Sequence, residues 1–224
     1  MSLLKRFAAR LPALWQLELK RLYFARQIKK GTFESAEPEY HILSQLIKPG
    51  DWIIDVGANV GHYTKRFSEI AGANGRVIAF EPVSATFNLL AANAQLFTHP
   101  NVTLINAAAS DQPGIAHMSI PRFSTGLDNY YEAQISSSAD SALPVLTLPI
   151  DSLGLNQRIA LIKIDAEGHE QFVINGMKQL LSEHHPILIV ETGSKVSPSL
   201  SALGYVAEKL DDSPNTIFKF KPAA

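Results

Sequence analysis

Three acid-bearing segments carry residue types at spacings that chemistry could use. In the first, Trp52-Ile53-Ile54-Asp55-Val56 runs into Gly57-Ala58-Asn59-Val60-Gly61. A short apolar run reads as a strand buried on both faces. Glycine lets the backbone pass through positive φ and lets a ligand approach closely. Tyr63, Phe67 and Ile70 then recur at helical spacing, and a helix start offers unpaired N–H groups to an anion. Strand, glycine turn and helix in that order form a nucleotide-binding device. Asp55 would stand near the carboxyl end of the strand, where such sheets bind ligands. The second segment, Arg76-Val77-Ile78-Ala79-Phe80-Glu81-Pro82, ends in Glu81. Its offset from Gly57 is near the ~20 residues expected of an acid that grips a ribose diol. The glycines are spaced G-x-x-x-G, not the G-x-G-x-x-G of dinucleotide sites. That points away from NAD and towards S-adenosylmethionine. The third segment, Ile159 to Ile164, ends in Asp165, with Glu167 and His169 close behind.

The elements that must position these residues alternate. Helices are expected over 34–48, 62–72, 84–97 and 168–182, with a short one over 199–203. Strands are expected over 52–56, 76–81, 101–109, 159–165 and 186–191, with a terminal pair over 205–210 and 216–220. Residues 115–120 alternate like a short extra strand, and 121–143 lack periodicity, as a substrate loop or surface disorder would. Alternating strands and helices predict an α/β fold, a mostly parallel sheet with helices on both faces and one antiparallel edge strand. The chain has 224 residues, 46% hydrophobic and 18% charged, with net charge −1 and no cysteine. It can bury one sizeable core. The charge makes no global case for nucleic acid, and disulfides and thiolate zinc sites are excluded. No transmembrane helix or signal peptide is expected, and a cytoplasmic setting fits.

Residues 1–33 form a basic amphipathic helical arm, ahead of a catalytic domain over 34–224. Residues 1–30 hold eight cationic side chains against Glu18 alone. Leu11, Trp15, Leu19 and Leu22 fall on one helical stripe. Three partners fit it: the catalytic domain or a dimer mate, an anionic membrane surface, or a polyanion such as RNA.

Three segments together resemble the FkbM family of S-adenosylmethionine-dependent methyltransferases: Ile54 to Thr64, Ala79-Phe80-Glu81-Pro82, and Leu161-Ile162-Lys163-Ile164-Asp165-Ala166-Glu167-Gly168-His169-Glu170. The likeness spans about 38–192, and the family often has a small residue where His169 stands. The resemblance implies a Rossmann-like seven-stranded methyltransferase sheet and O-methylation of a sugar or other small molecule. In such a site, Asp55 and the amides from Gly57 through Ala58 to Gly61 would hold the methionine part of the cofactor. Asn59 and Tyr63 would add contacts, and Glu81 would take the ribose hydroxyls. Ser110 and Asp111 would meet the adenine edge, though Asp111 also suits a turn.

Methyl transfer needs alignment and a proton acceptor. Asp165 and Glu167 are close enough for one to be pushed up in pKa, and Asp165 leads as general base. Glu167 and His169 compete for the role, although His169 also suits a helix surface. Glu170 would pair with Lys163 or cap its turn. Glu191 would line the acceptor pocket or make a salt bridge. Asp165 and Glu167 lack a clear third ligand, so no metal is expected. The expected partner is a small-molecule hydroxyl acceptor. Two other functions remain open: a cofactor-binding module without catalysis, and a nucleic-acid methyltransferase anchored by the basic arm.

Overall fold

The computed structural model describes residues 12–121, 134–136, 143–191 and 193–222. Its first half runs α1 (Ala13–Lys30), α2 (Pro38–Leu46), β1 (Trp52–Val56), α3 (His62–Ala71), β2 (Arg76–Phe80), α4 (Ser84–Ala94), β3 (Val102–Ile105), β4 (Ala108–Ala109) and β5 (Gly114–Ser119). There follow β6 (Gln134–Ser136), β7 (Leu143–Leu148), β8 (Ile159–Ile164), α5 (Glu170–Asn175), α6 (Lys178–His184), β9 (Ile187–Glu191), α7 (Ser197–Ala202), β10 (Tyr205–Lys209) and β11 (Asn215–Phe220).

Seven strands form the main sheet in the order β10-β11-β9-β8-β1-β2-β3. β1 lies between β2 and β8, parallel to both. Every residue of β8 is buried, because helices cover both faces and leave no solvated side. Alternation along the strands splits the core in two. Ile54, Ile78, Ile162 and Leu188 pack with Val173, Met177 and Leu181 on one face. Ile53, Val77, Leu161 and Ile189 pack with Leu43 and Phe67 on the other. The one antiparallel strand of the main sheet, β11, lies next to its edge, inserted between β9 and the edge strand β10. The expected α/β architecture is therefore the observed one.

Three local expectations change. The strand expected over 101–109 is two strands. Asn106 turns the chain by donating its side-chain amide to the carbonyls of Glu81 and Pro82, at 2.8 and 3.1 Å. β4 then leaves the main sheet and joins a second sheet of order β4-β7-β5-β6. The extra strand expected at 115–120 is β5 of that small sheet. The helix expected over 168–182 breaks at Gly176. A Cβ there would lie 1.9 Å from the carbonyl oxygen of Ser110, so the chain can cross Ser110 only as glycine. Asp151 then starts α6 by accepting from the amides of Gln179 and Leu180, each at 3.0 Å. The loop expected over 121–143 lies largely outside the described residues.

The third change concerns the arm. α1 docks on the domain, but not through the predicted stripe. Leu17, Phe24 and Ile28 pack with Phe33, Val60 and Leu89. Trp15, Leu19 and Leu22 face solvent, and Leu11 lies outside the described residues. Periodicity marked one apolar face, while α1 has two. The aromatic contacts of Phe24 with Phe33 and His62 decide which is buried. Among the described residues, no helix is long and apolar enough to cross a membrane.

Candidate functional site

A cleft of about 250 Å³ opens at the carboxyl ends of β1, β2, β8 and β9. Gly57, Asn59, Glu81, Asp165, Glu167 and His169 all line it, as does Glu191. Gly57 is required by close approach. A Cβ on it would lie 1.9 Å from the carbonyl oxygen of Asp165, because β1 and β8 converge where the Asp165 amide donates to Val56.

The glycine turn is wired to hold Glu81. Asn59, at φ 50°, takes the left-handed conformation that a short polar side chain tolerates. Its amide donates to one oxygen of Glu81 at 2.9 Å, and the amide of Val83 donates to the other at 2.9 Å. Burial nevertheless pushes the Glu81 carboxyl up to about 7, against those two hydrogen bonds. The amides of Gly57 and Ala58 both donate to the carbonyl of Phe80, and that of Gly61 to Ala58. With that of Asn59, four of the five amides from Gly57 to Gly61 donate within the protein.

Asp55 also sits differently from its expected place. It is 0% exposed and accepts from the Thr64 hydroxyl at 2.6 Å. Neither it nor Ala58, Gly61 or Tyr63 lines the cleft. Burial raises the pKa of Asp55, while Lys163 and Thr64 oppose the rise. Tyr63 donates towards Glu37 at 2.5 Å and Glu39 at 2.8 Å, and its ring lies 4.6 Å from the Lys163 ammonium. Asp55 and Tyr63 thus form the layer beneath the site. Glu37, bonded to Tyr63, reaches the cleft itself.

The acids beyond β8 separate into roles. Buried Lys163 donates to Asp165 at 2.8 Å. Burial pulls the Lys163 pKa down, but Asp165 and Asp55 outweigh it and hold the ammonium charged. Burial would raise Asp165, yet Lys163 and the hydrogen bond with Glu191 hold it below the usual carboxylate range. Burial, reinforced by the proton shared with Asp165, pushes Glu191 up to about 8. The elevated acid is therefore Glu191, not Asp165. Two like charges in contact cannot both ionise cheaply, and a neighbouring cation decides which one does. Ligand atoms of Asp165, Glu167 and Glu191 come within 4.8 Å of one another. A third carboxylate thus stands where the sequence offered two.

His169 and Ser110 meet across the break in the helix. Their Nε2 and Oγ atoms are 2.9 Å apart, and the imidazole stacks on Phe172 with centroids 4.4 Å apart. Burial lowers the His169 pKa, against Asp111 and Glu170. Glu170 caps its turn by accepting from the Gly168 amide at 2.8 Å, while Lys163 takes Asp165 instead. Ser110 and Asp111 do not line the cleft, contrary to expectation; Ala107, Ala108 and Ala109 do. The Gly176 crossing covers Ser110, which explains the difference.

Sequence reasoning missed the apolar wall and Glu37. Val83, Ala108 and Met118 pack in one cluster with Ile135, and all four line the cleft. No motif marks them, because they meet only through the small sheet. Glu191 did have a signal: it is an acid ending a buried strand, like Glu81 and Asp165.

A parallel sheet with an acid-lined cleft at its carboxyl edge and a glycine turn holding a buried glutamate defines a Rossmann-like cofactor-binding protein. The family model described as "Methyltransferase FkbM domain" matches residues 55–203, and the chain belongs to that family. Among curated proteins, none matches it in sequence. The FkbM methyltransferase from Methylobacillus flagellatus KT is similar in fold, with TM-score 0.55 and 16% identity over 95% of this chain. This chain covers 56% of that one, just over half its length. A SAM-dependent methyltransferase from Aquifex aeolicus aligns with TM-score 0.51 and 13% identity, over 87% of this chain and 97% of that one. Fibrillarin from Aeropyrum pernix, solved with natively bound S-adenosyl-L-methionine, gives TM-score 0.50 and 15% identity, over 80% and 71%.

Proposed function

We propose that this chain methylates a hydroxyl of a small-molecule acceptor, sugars included, with Glu191 taking the hydroxyl proton. The cofactor is S-adenosylmethionine. The observation that carries the assignment is the Asp165–Glu191 pair, in which one acid is held ionised and the other raised to about 8. A general base works best when its pKa lies near the working pH. Asp165, held low by Lys163, is a weak base, and its fixed charge suits orientation.

The donor set fits the cofactor. Glu81 spends one lone pair on each backbone amide and keeps others for a ribose diol. Glu37, Glu81, Asp165, Glu167 and Glu191 all face the cleft. Such acidity favours a cationic cofactor and opposes a pyrophosphate or a nucleic-acid backbone. The cofactor, when bound, supplies the methyl group and leaves as a neutral thioether. Asp165 offers a fixed negative oxygen to an ammonium or sulfonium charge. Glu191, once ionised, accepts the proton as the acceptor oxygen forms its bond to carbon. The apolar wall of Val83, Ala108, Met118 and Ile135 excludes water and strengthens these interactions.

The test is a screen of S-adenosylhomocysteine release against hydroxyl acceptors, with products identified by mass spectrometry. Turnover that methylates only nitrogen or carbon would overturn the hydroxyl assignment. Cofactor binding without turnover on any acceptor would support a binding module instead.

A further inference from the structure

We propose that the exposed face of α1 is a docking site for an anionic lipid surface. α1 buries Leu17, Phe24 and Ile28 against the domain. The face turned to solvent carries Trp15 at 65% exposure, Leu22 at 58% and Tyr23 at 59%, with Leu19 beside them. Large apolar side chains exposed together on one helix face mark an interaction site more than isolated ones do. Trp15, Leu19, Leu22, Arg26 and Lys29 follow helical spacing, so the apolar stripe continues directly into a cationic one. Lys30 joins it, and Arg26, Lys29 and Lys30 are all exposed. None of the three forms an ion pair among the described residues. The one acid in α1, Glu18, is already paired with Arg21 at 2.9 Å.

An interfacial helix has this chemistry: aromatic and aliphatic groups enter the acyl boundary while cations meet anionic headgroups. The other two occupants fit less well. A second copy of the chain would bring three unpaired cations per protomer and no free acid to this face. An RNA backbone would satisfy the cations but leave Leu19 and Leu22 in water. Phe24 stacks edge-on with His62, the first residue of α3 after the glycine turn. The docked helix is thus braced against the element that shapes the cleft.

The experiment is flotation of the full chain with vesicles, and it needs no turnover, so its outcome is independent of the methyl-transfer assignment. Neutral phosphatidylcholine vesicles are compared with vesicles containing phosphatidylglycerol. The chain is expected to float only with the anionic vesicles, and less as salt rises. Two surface variants, W15S/L22S and R26E/K29E, are each expected to reduce binding more than tenfold with an unchanged melting temperature. Failure to float with anionic vesicles at low salt overturns the proposal, as does flotation that both variants leave intact. A dimer that W15S/L22S dissociates, with no vesicle binding, assigns the face to a second copy. RNA binding lost in R26E/K29E, with no vesicle binding, assigns it to nucleic acid. Either result also overturns the proposal.

Discussion

On one side of the cleft, strand ends of the main sheet bring Glu81, Asp165 and Glu191 together above buried Lys163. On the other, the small sheet and the start of α4 contribute Val83, Ala108, Met118 and Ile135. The charged wall is held by directional contacts: two amides on Glu81, an ammonium on Asp165, a hydrogen bond between Asp165 and Glu191. The apolar wall is held by burial, which is non-directional and scales with area. Changes on the charged wall should therefore alter chemistry, pH response and polar stability together. Changes in the apolar cluster behind the cleft lining should alter stability in proportion to the atoms removed and leave the pH response in place.

The largest effect should come from Glu191→Gln. Glutamine keeps the shape but cannot take a proton at neutral pH, and losing a general base lowers rate by ~10²–10⁴. Wild-type kcat/KM should rise with pH through about 8, because only the deprotonated acid is active. The variant should lose that rise. The apparent value belongs to the Asp165–Glu191 pair. If Asp165→Asn loses the rise while Glu191→Gln keeps it, the two roles are reversed.

Lys163→Ala should come next. Lys163 is 3% exposed, and its removal strands the buried carboxylate of Asp55 and leaves the half-buried carboxylate of Asp165 without its ammonium partner. Breaking a buried pair from one side costs about 3–5 kcal/mol, to be read from denaturant unfolding. Lys163→Ala at wild-type stability would mean that water replaces the ammonium, and the charged wall would not depend on this pair.

Glu81→Ala should weaken S-adenosylhomocysteine binding by about 1–3 kcal/mol in calorimetry, the range for a lost charge-assisted contact. Glu81→Gln adds a stability test. Burial lifts the folded carboxyl from its ordinary 4.5 to about 7. A carboxyl raised on folding contributes stability below about 4.5, and that contribution is lost as pH rises through about 7. The apo wild type should therefore lose melting temperature relative to Glu81→Gln between pH 4.5 and 7. A constant difference across that window would show that Glu81 titrates normally.

The smallest effect should be Val145→Ala. Val145 is 4% exposed in the apolar cluster. Removing two buried methyl groups costs about 1–2 kcal/mol, with the pH profile unchanged. A shifted profile would show that the two walls are coupled and would end the distinction between them.

Much of the fold could be read from the chain, because its signals are local. Trp52–Val56, Arg76–Phe80 and Ile159–Ile164 are apolar runs bounded by turns, and a doubly covered parallel strand has no other pattern. The acids that end such strands must meet at the carboxyl edge, so Glu81, Asp165 and Glu191 were marked by position. Boundaries failed where a side chain or a crossing intervened. Asn106 cut one strand by bonding two carbonyls 24 and 25 residues away, and Gly176 broke a helix to pass Ser110.

By itself the sequence determined the alternating sheet, the need for glycine at position 57 and the supply of acids at three strand ends. These follow from periodicity, backbone sterics and parallel connectivity, all properties of short segments. Only the tertiary structure decided which acid keeps its proton, because that depends on Lys163 reaching Asp165 rather than Glu191. It decided also that Asp55 lies beneath the site, bonded to Thr64, and that α1 turns Phe24 inward and Trp15 outward. Charge energies and burial depend on distances between segments far apart in the chain, and no local pattern encodes those distances.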